Sequence, residues 1–399
     1  MTVPALQGAL EDLVIYFANS TWYGPAGTDR HIAEALSRHA PVLYVEPPVS
    51  VLTALRNPAF ASTLADRPRL EVLGPRLARA VTRVSPGMHR PGLNRLTAPL
   101  VARGTRAALR RLYGRTGTVA GVVSCRVTPL WSAVPARRRL FFATDDLPAG
   151  AELLGESRER LLRDEASTIR GADAIAVVSP GLRDRYADSG WKAELVPNGC
   201  LPGAYDGVEQ APMPTDVDLP GPMVGFVGYL NHRIDLALLE AVAATGASLL
   251  LVGPAVPGYR TERFEALCAR ANVTWVGAKP FEELPSYLRL MRVGLLPYAD
   301  TEFNRASFPL KTLEYLAAGR PVVATPLPAN TWLGTGLVIE ASGPGAFAAA
   351  ATAALGAEPS EQLAARRRAF AGGHSWDRRA EALADLLELT SSDARPSTS

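Results

Sequence analysis

Ser307-Phe-Pro-Leu-Lys311-Thr-Leu-Glu314-Tyr-Leu-Ala-Ala-Gly319-Arg-Pro321-Val-Val-Ala-Thr-Pro326 reads as a helix that runs at once into a buried strand. Ser307 is a suitable N-cap, and Pro309 suits the first turn, where its missing N–H costs nothing. Leu310, Leu313, Leu316 and Ala317 recur at helical spacing, so one face packs inward. Gly319 can adopt the positive φ of a C′ residue, and Pro321 forbids continuation. Val322-Val-Ala-Thr325 is then a short strand. Lys311 and Glu314 lie one turn apart at the helix start, away from the packed face. An ammonium at a helix N-terminus attracts phosphate, and a carboxylate one turn on can accept hydrogen bonds from a diol. A nucleoside diphosphate has both needs.

The order P-L-K-x-x-E-Y-x-A-x-G-x-P-V-V resembles the donor-site motif of GT-B glycosyltransferases, closest to the family 4 type. The resemblance implies an α/β fold of two Rossmann-like, doubly wound domains facing a central cleft. It further implies that Glu314 holds the ribose hydroxyls of a sugar nucleotide. One departure stands out: the family usually carries a second Glu eight residues earlier, facing the donor sugar, and here that position is Ala306.

The chain of 399 residues exceeds what one core organises, so two domains are expected. No run of about twenty apolar residues is present. The start Met1-Thr-Val-Pro-Ala-Leu lacks a basic, apolar leader, and Cys125, Cys200 and Cys268 give neither a disulfide framework nor a metal spacing. A cytoplasmic protein without a metal or cofactor is expected. A net charge of +3 is too small to argue for nucleic acid. From Arg67 to Arg115, however, arginines recur every few residues, with Asp66 and Glu71 the only nearby acids. A solvated helical face and peripheral contact with the inner membrane face are both open readings of residues 67–115. The chain has only three lysines, Lys192, Lys279 and Lys311, so a lysine inside the motif is less apt to be incidental.

Strand-like runs alternate with helical ones in each half, which implies parallel, doubly wound sheets. Leu13 to Phe17, Val42 to Val45, Val119 to Ser124, Leu140 to Thr144 and Ala174 to Val178 are the strands expected of the first half. Glu152 to Arg170 is expected as one polar helix. Residues 1–205 form the expected acceptor domain, 206–221 a Pro- and Gly-rich linker, and 222–375 the nucleotide-sugar domain. A helix over 376–390 should cross back, and 391–399 is a polar, disordered tail.

Within the second half, Gly225-Phe-Val-Gly-Tyr-Leu230 resembles the first strand and loop of the family's nucleotide domain. Gly228 permits close backbone approach, Asn231 or Asp235 can cap the next helix, and Arg233 can bind two phosphate oxygens. Gly253 ends another strand. Gly277 and Lys279 lie in a segment similar to the one flanking the base. Ser307 joins Gly228, Arg233, Gly253, Gly277, Lys279, Lys311 and Glu314 as a donor-binding candidate. Glu302, Asn304 and Arg305 are available to face the sugar in place of the missing Glu.

In the first half, Asp145 and Asp146 follow a strand where relatives read His-Asp. A carboxylate there could take the acceptor proton or stabilise positive charge on the sugar. His31, with Asn19, Trp22, Gly27 and Arg30, approaches the expected acceptor side, as does Arg126. The resemblance implies transfer of a sugar from a nucleotide-diphosphate donor to a hydroxyl-bearing acceptor, either a small natural product or a cell-envelope glycan or lipid-linked acceptor. A sugar-nucleotide epimerase and a non-catalytic glycosyltransferase-like partner are the rival readings.

Overall fold

A computed structural model describes residue 4 and residues 6–24, 26–50, 68–84 and 96–389. The expected tail 391–399, residue 67 and residues 85–95 of the basic stretch lie outside them. The chain divides into two compact units. One comprises Met1–Val178, Leu182–Val196 and Trp376–Ser399; the other comprises Ser179–Gly181 and Pro197–Ser375.

The first unit is built on eight strands in the order β10-β9-β8-β7-β1-β2-β5-β4. These are β1 (Val14–Phe17), β2 (Val42–Val45), β4 (Leu70–Gly74), β5 (Leu77–Ala80), β7 (Val119–Ser124), β8 (Ala136–Ala143), β9 (Ala174–Val177) and β10 (Glu194–Leu195), with β3 (Val49–Ser50) and β6 (Arg83–Val84) pairing separately. The central strands are parallel and wholly buried, as their unbroken apolar runs require when helices cover both faces. β4 alone runs antiparallel, against β5. This hairpin falls within the stretch 67–115, one reading of which is a solvated helical face, because its arginines interrupt the apolar alternation that marks a strand. The expected helix over Glu152–Arg170 is two: Ala151–Leu154 ends at Gly155, and Ser157 caps Arg158–Arg170 by accepting from the Arg160 N–H.

The second unit is a six-stranded parallel sheet in the order β13-β12-β11-β14-β15-β16. Its strands are β11 (Met223–Val227), β12 (Ser248–Val252), β13 (Val273–Trp275), β14 (Met291–Leu296), β15 (Val322–Ala324) and β16 (Val338–Glu340). Val224, Phe226, Leu249 and Leu251 pack against Leu239, Val242 and Phe347 from helices on one face. Residues 206–221 are not a free linker. The Asp216 carboxylate accepts from Lys279 Nζ at 2.5 Å and from the Tyr287 hydroxyl, and Glu209 pairs with Arg320 at 2.7 Å. Residues 197–205, expected in the first domain, fall with the second unit.

Candidate active site

In the second unit the strand ends converge through their loops. β11, β12 and β13 each end near a glycine of positive φ: Gly228, Gly253 and Gly277. The Gly253 N–H donates to the Gly277 carbonyl at 2.8 Å, and the Gly228 N–H to Val252 O at 2.9 Å. A β-carbon on Gly253 would lie 1.9 Å from the Gly228 carbonyl oxygen, so glycine alone lets these loops touch. The result is a low backbone rim at the carboxyl end of a parallel sheet, the usual seat of a ligand in such folds.

The helix Leu310–Ala317 rises beside β14, bolted by Tyr315. The Val227 N–H donates to the buried Tyr315 hydroxyl at 2.8 Å, and its ring lies over Gly294, where a β-carbon would clash. That anchorage fixes Lys311 and Glu314. Lys311 Nζ is 2.5 Å from Glu314 Oε2, and Glu314 is 8% exposed. A carboxylate so enclosed needs a cation or hydrogen bonds. Tyr205, 1% exposed, turns its hydroxyl toward the same carboxylate without completing a hydrogen bond. Burial first, then that carboxylate, hold the phenol well above its usual pKa. Ser307 does not cap the helix: Pro309 occupies the N-cap, and Ser307 Oγ donates back to Asn304 O at 2.8 Å.

Asp235 caps the helix Leu236–Ala244 by accepting from the Ala237 N–H. Arg233, in the loop before that helix, donates from Nε to Asn304 Oδ1 at 2.9 Å and lies 4.8 Å from the Phe303 ring. Asn304 returns its amide to the Arg233 and Ala299 carbonyls and is fully buried, so it positions the arginine and does not present itself to a ligand. No carboxylate pairs with Arg233 among the described residues. Arg305 is engaged with Asp300, and Lys279 is held by Asp216. Ala306 is 7% exposed, and its carbonyl accepts from Ser179 Oγ, while the Asn198 amide donates to Phe308 O at 2.8 Å. The loop 299–309 is thus tied down at both ends.

In the first unit the expected acid–base groups separate. Asp146 is 2% exposed; it accepts from the Ala149 N–H and pairs with Arg185 Nε at 3.1 Å. Arg185 also makes a bidentate pair with Glu165, which accepts from the Tyr186 hydroxyl at 2.6 Å. Asp146 is therefore part of a buried ionic cluster with Arg185 and Glu165. His31 is 5% exposed, stacked on Trp376 with ring centroids 5.5 Å apart. Its Nδ1 lies 3.6 Å from Glu34 Oε2, so the ring joins the helix Thr28–Leu36 to the helix Trp376–Leu386. Asp145, two residues beyond β8, stays half-buried at the strand ends.

Asp29 was not singled out from the sequence. It is 4% exposed and accepts from the Tyr16 hydroxyl and from the Asn19 N–H, Ser20 N–H and Ser20 Oγ. Asn19 Nδ2 and Arg126 Nε then bind the Cys125 and Ala18 carbonyls, joining the loops after β1 and β7. Burial lowers the Arg126 pKa to about 10. The signal for Asp29 was its place in the first helical turn after Gly27.

Residues 221–356 match the model of the family described as glycosyl transferases group 1. The chain is 30% identical over 265 residues to the putative teichuronic acid biosynthesis glycosyltransferase TuaH of Bacillus subtilis (strain 168), a match spanning 62% of this chain and 66% of that relative, slightly under two thirds. Its structure is similar to that of sucrose-phosphate synthase from Thermosynechococcus elongatus, with a TM-score of 0.68 at 18% identity, covering 94% of this chain and 98% of the other. It is also similar to Anabaena HepE in complex with UDP and glucose, with a TM-score of 0.62 at 16% identity over 94% and 99% of the two chains. At those identities the two structures speak for the fold alone. The fold is that of the GT-B glycosyltransferases, and residues 221–356, within the second unit, are similar to the glycosyl transferases group 1 family.

Proposed function

We propose that the protein transfers a sugar from a nucleoside-diphosphate donor to a hydroxyl of a cell-envelope glycan precursor. The observation that carries this is the enclosed Lys311–Glu314 pair at the start of Leu310–Ala317, in the unit whose three glycine loops form the backbone rim. In this reading Glu314 accepts from the ribose diol, while Lys311 and the carboxylate-free Arg233 take the diphosphate. In this reading the backbone at Gly277 flanks the base. Charge neutralisation on the leaving diphosphate and orientation of the reacting atoms supply the rate. In the same reading Asp145 takes the acceptor proton. The envelope acceptor is supported by the teichuronic acid relative, and uridine diphosphate by the HepE complex.

The test is a panel of sugar nucleotides and acceptors given to the full chain, with nucleotide binding followed by calorimetry. One donor should be consumed with release of its nucleoside diphosphate. Glu314→Ala should fold yet bind that nucleotide about 1.5–3 kcal/mol more weakly, the range for hydrogen bonds to charged groups. Arg233→Ala and Lys311→Ala should weaken the diphosphate more than the free nucleoside. A folded Glu314→Ala protein with unchanged affinity would remove the assignment.

A further inference from the structure

The described arginines between Arg69 and Arg115 differ in their partners, and exposed Arg110 lies outside the groove considered below. Arg79 is held by Glu46 and Glu71, Arg115 by Glu11, Arg106 by Ala133 O, and Arg76 by the Arg38 and His39 carbonyls. Arg69, Arg83, Arg103 and Arg111 are exposed, and none has a carboxylate partner among the described residues. These four line one groove of about 330 Å³, between the β4–β6 segment and the helix Thr97–Tyr113. Its remaining lining is mainly aliphatic, including Leu70, Ala80 and Leu100, with no aromatic ring.

Thr82 lines the same groove. It is 2% exposed, and its Oγ1 has no hydrogen-bond partner. Its methyl is turned to Gly104, where a β-carbon would come within 2.8 Å. A buried hydroxyl left unpaired is costly, and so are four guanidiniums around one apolar hollow; an anionic oxygen-rich group relieves both.

We propose that this groove seats the phosphate of an anionic bilayer lipid. The guanidiniums bind the phosphate oxygens, the Thr82 hydroxyl donates to one of them, and the aliphatic floor receives the first methylenes of the lipid. The apolar floor favours a lipid over a free phosphate. The lack of aromatic rings speaks against stacked bases. The inference uses no donor-site residue.

The experiment is sedimentation of the full chain, without nucleotide, with vesicles of phosphatidylcholine alone or mixed with phosphatidylglycerol. Pelleting is expected with the anionic vesicles only and should fall as salt rises. Arg103→Gln combined with Arg111→Gln should weaken partitioning about thirtyfold, from the effect of two basic residues at an anionic surface. The exposed pair Arg270→Gln and Arg366→Gln should leave it unchanged. Thr82→Val keeps charge and shape and removes only an unpaired hydroxyl, so it should melt no lower than the parent protein yet bind the vesicles several-fold more weakly. Absence of pelleting, equal losses from both arginine pairs, or an unaffected Thr82→Val protein overturns the proposal. So does displacement by inorganic phosphate or a phosphopeptide at concentrations equal to the lipid phosphate.

Discussion

Glu314 and Asp146 are both enclosed carboxylates with a basic partner, yet their surroundings give them different work. Asp146 shares Arg185 with Glu165, and a backbone N–H takes its second oxygen. Glu314 has Lys311 on one oxygen and an uncompleted phenol contact beside it. The first is closed; the second can exchange partners with a ligand. A residue-scale prediction concerns the thiols. Burial, with the Glu265 carboxylate second, pushes Cys268 up to about 11, and burial raises Cys125 well above the usual thiol range. The fold thus favours the protonated thiol. That stabilisation is intact below the unfolded pKa of about 8.5 and fades as pH rises toward the folded value. At pH about 9 native Cys268 should be only about 1% thiolate, and its alkylation by iodoacetamide should be slower than in urea by about fiftyfold or more. Equal rates in the native and unfolded protein would refute the assignment.

At the scale of elements, the donor side is shaped by where loops touch. Gly253 and Gly228 meet with no space for a β-carbon, and Gly253 has a φ of +137°. Gly253→Ala should therefore destabilise the second unit by about 2–4 kcal/mol, from backbone strain and overpacking together. Nucleotide affinity should fall with it, since the rim would part. Urea unfolding and calorimetry check both, and an alanine variant of unchanged stability would show the contact to be dispensable. The helix over Leu310–Ala317 was legible in the motif; the role of Tyr315 as its bolt was not, because a tyrosine at that spacing reads simply as core.

For the whole molecule, the last described helix belongs to the first unit. Trp376 is 2% exposed and stacks on His31, while Arg38 pairs with Asp377 and Arg138 with Glu388 at 2.9 Å. Trp376→Ala should cost about 3–5 kcal/mol, the range for deleting a buried large aromatic. The loss should appear in the unfolding of the first unit, with nucleotide binding retained by the second. Loss of nucleotide binding with no change in stability would contradict this division. Among the described residues no helix is long and apolar enough to cross a membrane.

The alternation of apolar strands with helices, the helix-to-strand turn at Gly319 and the Lys311–Glu314 spacing are local patterns. Backbone sterics and hydrophobic period express them without reference to the rest of the chain, so the fold class and the donor-site helix could be read from sequence. Partner choice is non-local. That Lys279 goes to Asp216, Arg185 to Asp146 and His31 to Trp376 depends on segments 39 to 345 positions apart meeting in space. The same holds for Thr82, brought against Gly104 in a groove edged by arginines from strands and helix alike. Sequence supplied the residue types; only tertiary packing decided which charges were neutralised and which were left to meet a ligand.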